Sequence, residues 1–147
     1  MPDATPADAR AAVTEVLQSY FDGLYAGDVT ILARAFHPLA VYATATGGDL
    51  VHHTMDVYLP IVAAREAPAA RGEMRRDAVL TIDVAAPDAA FAKVECAIGD
   101  RRFTDLLTLV HVEGRWQIMA KVFHYEIDTT EPADIDRRRS TPCPTST

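Results

Sequence analysis

Between Arg102 and Ile127 the chain carries two long apolar runs separated by a glycine turn, and no other feature restricts the possible folds as much. Phe103-Thr104-Asp105-Leu106-Leu107-Thr108-Leu109-Val110-His111-Val112 leads into Glu113-Gly114, and Arg115-Trp116-Gln117-Ile118-Met119-Ala120-Lys121-Val122-Phe123-His124-Tyr125-Glu126 returns. Glycine supplies the positive φ that a tight turn needs, and both flanks are rich in β-branched and aromatic residues, so the segment reads as one β-hairpin. Strands apolar on both faces must be covered twice, once by helices and once by something else. Asp105 and Lys121 lie inside these runs and need partners, because an unpaired buried charge is very costly. The hairpin therefore implies a pocket with polar contents and a subunit interface.

A chain of 147 residues is one domain by length, with room for a real core. Apolar residues make up 49% and charged residues 24%, ordinary for a soluble globular protein. The net charge of −7, with no basic stripe in the folded part, argues against nucleic acid as a partner. No run reaches the roughly 18–20 apolar residues of a membrane span. The N-terminus has neither the basic start nor the apolar core of a signal peptide. Cys96 and Cys143 do not make a disulfide framework. A cytoplasmic chain is the expectation from these features.

Thr5-Pro6-Ala7-Asp8 is a helix start, with a hydroxyl cap, proline at the first position and an acid in the first turn. Val13, Val16, Leu17, Tyr20, Phe21 and Leu24 then recur at three-and-four spacing up to Ala26-Gly27. Asp28 caps a shorter second helix, which His37-Pro38 stops, since a residue before proline is pushed out of the α region. Strands follow over residues 39–46 and 49–53. Thr54 caps a third helix interrupted by Pro60, where a kink or a late start is expected. After a loop over 67–72, alternation predicts strands over 78–85 and 90–98, and Gly99-Asp100 turns the chain into the hairpin. Helices first and strands after make an α+β pattern: a curved antiparallel sheet wrapped around three helices of the N-terminal half. Residues 1–128 form this single domain. Residues 129–147, with Arg137-Arg138-Arg139 and a Pro/Thr-rich end, are expected to be a disordered tail.

Several of these segments together carry a resemblance. Tyr20-Phe21-Asp22-Gly23-Leu24-Tyr25-Ala26-Gly27-Asp28, Ala35-Phe36-His37-Pro38, Gly47-Gly48 and the ending Gly114-Arg115-Trp116-Gln117-Ile118-Met119-Ala120-Lys121-Val122-Phe123 are similar to the nuclear transport factor 2-like superfamily, in its SnoaL-like and "putative lumazine-binding" branch. The resemblance spans residues 7–125. It implies a cone-shaped α+β barrel, usually dimeric, with one deep apolar pocket. It does not fix an activity, because the superfold hosts isomerases, dehydratases, cyclases, hydrolases and binders.

Asp105 and Lys121 are the first candidates for chemistry. With a two-residue turn at Glu113-Gly114 they fall on opposite faces. With a three-residue turn and Gly114 in a bulge they lie directly across from each other. Both registers remain open, and the second is preferred because it pairs the two charges of the hairpin. Asp105 would accept a proton while Lys121 steadies an enolate oxygen, with a tyrosine or His124 also polarising that oxygen. An ion pair tying two strands is the structural alternative. Tyr20, Tyr42 and Tyr58 sit on elements that wall the cavity in the resembled fold, and Trp116 and Phe123 complete the expected apolar pocket. His52 and His53 are adjacent on a strand and cannot ligate one ion, so no metal is expected. His37 reads as a helix-terminus residue; His111 and His124 read first as surface or strand-pairing histidines, with the pocket mouth as the functional alternative. Without a phosphate loop, a Gly-x-Ser-x-Gly elbow or a Cys-His pair, nucleotide-dependent and covalent hydrolase chemistries drop out. Two expectations result. One is a pocket protein performing cofactor-free proton transfer (isomerisation, dehydration or cyclisation) on an apolar or aromatic carbonyl compound. The other is a non-catalytic homodimeric module that binds a ligand or a partner.

Overall fold

The computed structural model describes residues 5–85 and 87–127. Thr5 starts helix α1 (Pro6–Ala26) through a reciprocal capping box: its hydroxyl accepts the Asp8 N–H, and the Asp8 carboxylate accepts the Thr5 N–H. Its apolar stripe (Val13, Leu17, Tyr20, Leu24) is buried against the sheet and the other helices. Gly27 closes the helix in the left-handed region at φ 67°. Asp28 then caps α2 (Val29–Ala35), its carboxylate accepting the N–H groups of Thr30 and Ile31. The two helices lie close together at Gly23, where a Cβ would come within 2.8 Å of the Leu32 side chain.

His37-Pro38 is not the stop: α2 ends at Ala35, and strand β1 (Phe36–Thr44), which contains both residues, begins three residues earlier than the alternation suggests. β2 (Val51–Thr54) leads into α3 (Met55–Ala64), which accommodates Pro60 in its interior. Thr54 occupies the cap position of α3, yet its side chain makes no capping hydrogen bond. β3 (Asp77–Val84), β4 (Ala89–Ile98), β5 (Arg101–Val112) and β6 (Arg115–Ile127) complete a six-stranded sheet in the order β2-β1-β6-β5-β4-β3. All neighbours are antiparallel except β1 and β6, which run parallel. The sheet is curved and not closed; β2 and β3 are its edges. The expected tail, with Arg137 to Arg139 and Cys143, lies outside the described residues.

The inner face of the sheet presents Ala92, Val94, Leu107, Leu109 and Ile118 to α1, all at or below 1% exposure. Each such large aliphatic side chain contributes about 1.5–3 kcal/mol on burial. On the outer face, Leu106 and Val122 are cross-strand partners and both remain exposed.

The hairpin corrects the preferred register. Val112 pairs with Arg115, so Glu113-Gly114 is a two-residue turn, and its φ values of 54° and 81° are those of a type I′ turn. The bulge sits further along, at Met119. Leu109 pairs with Ile118 and Thr108 with Ala120, which leaves Met119 without a partner. Asp105 therefore faces Phe123, and Lys121 faces Leu107. The two charged residues share the inner face but are diagonal neighbours, a separation of about 7–8 Å that long side chains bridge.

Candidate functional site

Period-two alternation points Arg101, Phe103 and Asp105 inward from β5, and Lys121, Phe123 and Tyr125 inward from β6. Tyr20 of α1, Tyr42 and Thr44 of β1, and Tyr58 and Arg65 at α3 converge on the same region. Between them is a chamber of about 240 Å³. Its wall combines Tyr42, Tyr58, Phe103, Phe123 and Tyr125 with Thr44, Thr46, Cys96, Arg65, Arg101 and Lys121.

Asp105 is fully buried and lies behind this wall rather than in it. The Tyr20 hydroxyl donates to Asp105 Oδ2 at 2.5 Å, and the Cys96 thiol approaches the same oxygen at 4.0 Å. Lys121 Nζ lies 4.0 Å from Oδ2, an ion pair too long for a hydrogen bond. Asp105 Oδ1 has no hydrogen-bond partner among the described residues. The ammonium also sits 5.1–6.0 Å from the ring centroids of Tyr20, Tyr42, Tyr58, Phe103 and Phe123, an aromatic cage that attracts a cation through the ring quadrupoles.

Burial by itself would lower the Lys121 pKa. The neighbouring Asp105 carboxylate more than offsets it, so the amine is held above its ordinary range and stays charged. Burial, with Asp105 beside it, pushes the Tyr20 phenol well above its usual value and keeps it a donor. The same two causes push the Cys96 thiol up to about 12. Tyr42 is raised by burial, partly countered by Lys121. The site is thus an ammonium held charged beside a carboxylate, with phenols around both.

Of the residues expected at the site, Asp105, Lys121, Tyr20, Tyr42, Tyr58 and Phe123 are brought together. Two are placed elsewhere. His124 falls on the odd position between the inward Phe123 and Tyr125, so it points outward, beside Glu126 and with Nδ1 3.1 Å from Thr46 Oγ1. Trp116 lies beyond the Met119 bulge at the turn end of the hairpin, tilted against His111 at 5.3 Å. Trp116 and His111 line a separate open groove against α1 and α2, not the chamber. Sequence reasoning did not single out Arg65 or Arg101. A signal was present for each: Tyr58, Ile61 and Arg65 recur at helical spacing, and Arg101, Phe103 and Asp105 alternate on one strand face. Among the described residues, no group of three or more His, Cys, Asp or Glu side chains could hold a metal ion. Nor is any helix among them long and apolar enough to cross a membrane.

Three helices on the concave side of a curved, unclosed sheet, with a polar-floored chamber between them, define a nuclear transport factor 2-like α+β protein. Within that class the chain belongs to the family described as putative lumazine-binding, whose profile matches residues 8–124. An NTF2-like protein of unknown function from Silicibacter pomeroyi is 27% identical, with 84% of this chain and 100% of that chain covered and a TM-score of 0.73. One from Shewanella baltica is 26% identical, with 84% and 98% covered and a TM-score of 0.76. A ketosteroid isomerase-like protein from Erwinia carotovora atroseptica shares the fold at 11% identity, with 78% and 94% covered and a TM-score of 0.60. No curated protein matches the chain by sequence.

Proposed function

We propose that this protein takes a small aromatic or apolar carbonyl compound into the chamber and transfers a proton on it without a cofactor, as an isomerase, dehydratase or cyclase does. The C–H proton next to the carbonyl passes to Asp105, and the electron pair moves onto the carbonyl oxygen. Lys121 and a phenol of Tyr42 or Tyr58 stabilise the resulting enolate. The observation that supports this reading is the position of Lys121: its ammonium forms part of the chamber wall and is tied at 4.0 Å to a carboxylate with one unoccupied oxygen. His124, facing outward, has no part in the mechanism. The test is deuterium wash-in at the α-carbon of a panel of aromatic ketones. Asp105→Asn should slow exchange by roughly 10²–10⁴-fold, the range for a positioned general base. An unchanged rate rejects the mechanism.

A second reading is favoured by a specific feature, the location of Asp105 behind the wall with Tyr20 already bound to Oδ2. In that reading the chamber binds without reacting, and Asp105 holds Lys121 in place. Asp105→Asn then lowers the melting temperature and leaves ligand affinity unchanged.

In both readings a second copy of the chain covers the outer face of the hairpin, over Leu106 and Val122. Light scattering at micromolar concentration should give twice the chain mass, and a monomer there rejects the pairing. Residence in the cytoplasm is proposed with it, in keeping with the free, buried Cys96 thiol.

A further inference from the structure

We infer that the chamber's guest is an organic anion: a small, flat carboxylate whose acid group meets Arg65 and Arg101 while its unsaturated body lies against the aromatic wall. This rests on the reading of the chamber as a ligand site and adds the charge of the ligand. The wall contains three cations, Arg65, Arg101 and Lys121, and no carboxylate. Asp105, behind the wall, offsets one of them. None of the ion pairs among the described residues involves Arg65 or Arg101.

Two cationic side chains of that wall leave donors without a hydrogen bond among the described residues. Arg65 Nη2 has no hydrogen-bond partner among the described residues. Lys121, with 5% of its side chain exposed, has none within hydrogen-bond reach there either, since its contact with Asp105 is 4.0 Å long. Buried donors are nearly always satisfied in folded proteins, so unpaired donors on two residues of one chamber wall call for an acceptor. A neutral carbonyl could satisfy one. Only an anion answers both the free donors and the excess positive charge. A guanidinium fork matches the two oxygens of a carboxylate, which favours that acid over a single-oxygen anion. Arg101 is exposed, lies over the Tyr125 ring at 4.9 Å and lines the same chamber, where its guanidinium is open to an anion from solvent. The chamber's 240 Å³ is below the roughly 300–1,000 Å³ of pockets for drug-sized ligands, which limits the guest to about one ring and a short chain.

The test uses the full chain and paired probes, benzoate and trans-cinnamate against their methyl esters, titrated by calorimetry and by ligand-detected NMR. A carboxylate should bind at least ten-fold more tightly than its ester. Arg65→Gln, with its fold checked by circular dichroism, should remove most of that difference, and Arg65→Lys should restore part of it. Raising the salt from 50 to 500 mM should weaken the acid and leave the ester unchanged. Esters binding as well as acids would overturn the anion assignment while leaving the ligand site standing. Binding of neither probe class would overturn both. Acid binding that Arg65→Gln leaves intact would overturn the assignment of the acid group to Arg65.

Discussion

Ile118 and Lys121 are three residues apart on β6, yet both point to the inner face of the sheet, because Met119 between them has no partner on β5. In a regular strand, residues an odd number apart face opposite sides. The extra residue absorbs one step of the alternation, so Lys121 is turned toward Asp105 instead of toward solvent. Bulges commonly re-aim a side chain beside a functional site in this way, and they bend the strand as they do so. One unpaired residue therefore contributes both to the sheet's curvature and to the placing of an ammonium in the chamber.

Removing the ammonium should be costly. Lys121→Met keeps most of the volume but leaves the Asp105 carboxylate buried with Tyr20 and the distant Cys96 thiol as its contacts. Breaking a buried pair from one side costs about 3–5 kcal/mol. Urea unfolding should show a loss of that size, and adding Asp105→Asn should recover part of it. A loss below about 1 kcal/mol would mean that the pair is not buried as described.

Tyr20→Phe isolates the phenol. Its hydroxyl gives the single hydrogen bond that Asp105 Oδ2 receives from oxygen or nitrogen among the described residues. Hydrogen bonds to charged groups contribute about 1.5–3 kcal/mol, and the variant should lose about 2 kcal/mol while its ring packing against Phe21 and Phe36 persists. Denaturant titration measures the loss, and the near-ultraviolet circular dichroism should keep its shape.

The alkaline limb of stability follows from the same groups. Lys121 and Tyr20 are both raised in the folded state above ordinary values of 10.5 and 10.0. Below pH 10 both states hold these protons and the contribution to stability is complete. Above it the unfolded chain releases them first, the folded state binds more protons, and stability falls as pH rises. The midpoint of urea unfolding should drop steeply from about pH 10 upward in the native protein. The drop should be shallower in Tyr20→Phe and in Lys121→Met. An identical slope in all three would assign the alkaline loss to other groups.

Cys96 offers a chemical probe of the same interior. Its thiol is pushed up to about 12 by burial and by Asp105, so almost none of it is thiolate at neutral pH. In a Cys143→Ser background, a disulfide reagent at pH 8 should leave the folded protein unlabelled and react fully once urea unfolds it. Rapid labelling of the folded protein would show that the interior opens to solvent.

Elements with local chemistry at their ends were legible in the sequence. Thr5-Pro6-Ala7-Asp8 announced α1, Asp28 announced α2, and Glu113-Gly114 announced the hairpin, because caps and turns act over a few residues. The register beyond the turn was not legible. Ile118-Met119-Ala120 is apolar in every position, so no polar residue marks which one drops out of the alternation. The site was legible to the same extent. Asp105 and Lys121 stood out as charges among apolar neighbours, and their convergence with Tyr20 depended on packing between distant segments. Trp116 reads as a pocket aromatic only if the hairpin's turn end faces the chamber, and the fold directs that end to α1 and α2 instead.

The role given to Met119 can be tested by removing it. Deleting the residue closes the bulge but preserves every pair beyond it: Thr108 still meets Ala120, and Leu107 still meets Lys121. Ile118, Ala120 and Lys121 then alternate regularly, so Lys121 stays inward while the local bend is lost. The deletion variant should therefore fold with lower stability and a flatter hairpin. Lys121→Met made in that background should still cost about 3 kcal/mol, as a buried ion pair broken from one side does. If instead the strand slips by one residue to restore its bend, Lys121 turns to solvent and the second substitution costs nearly nothing. The difference between those two costs, read from four denaturation curves, decides whether the pairing beyond Met119 or the bend itself holds the ammonium in the chamber.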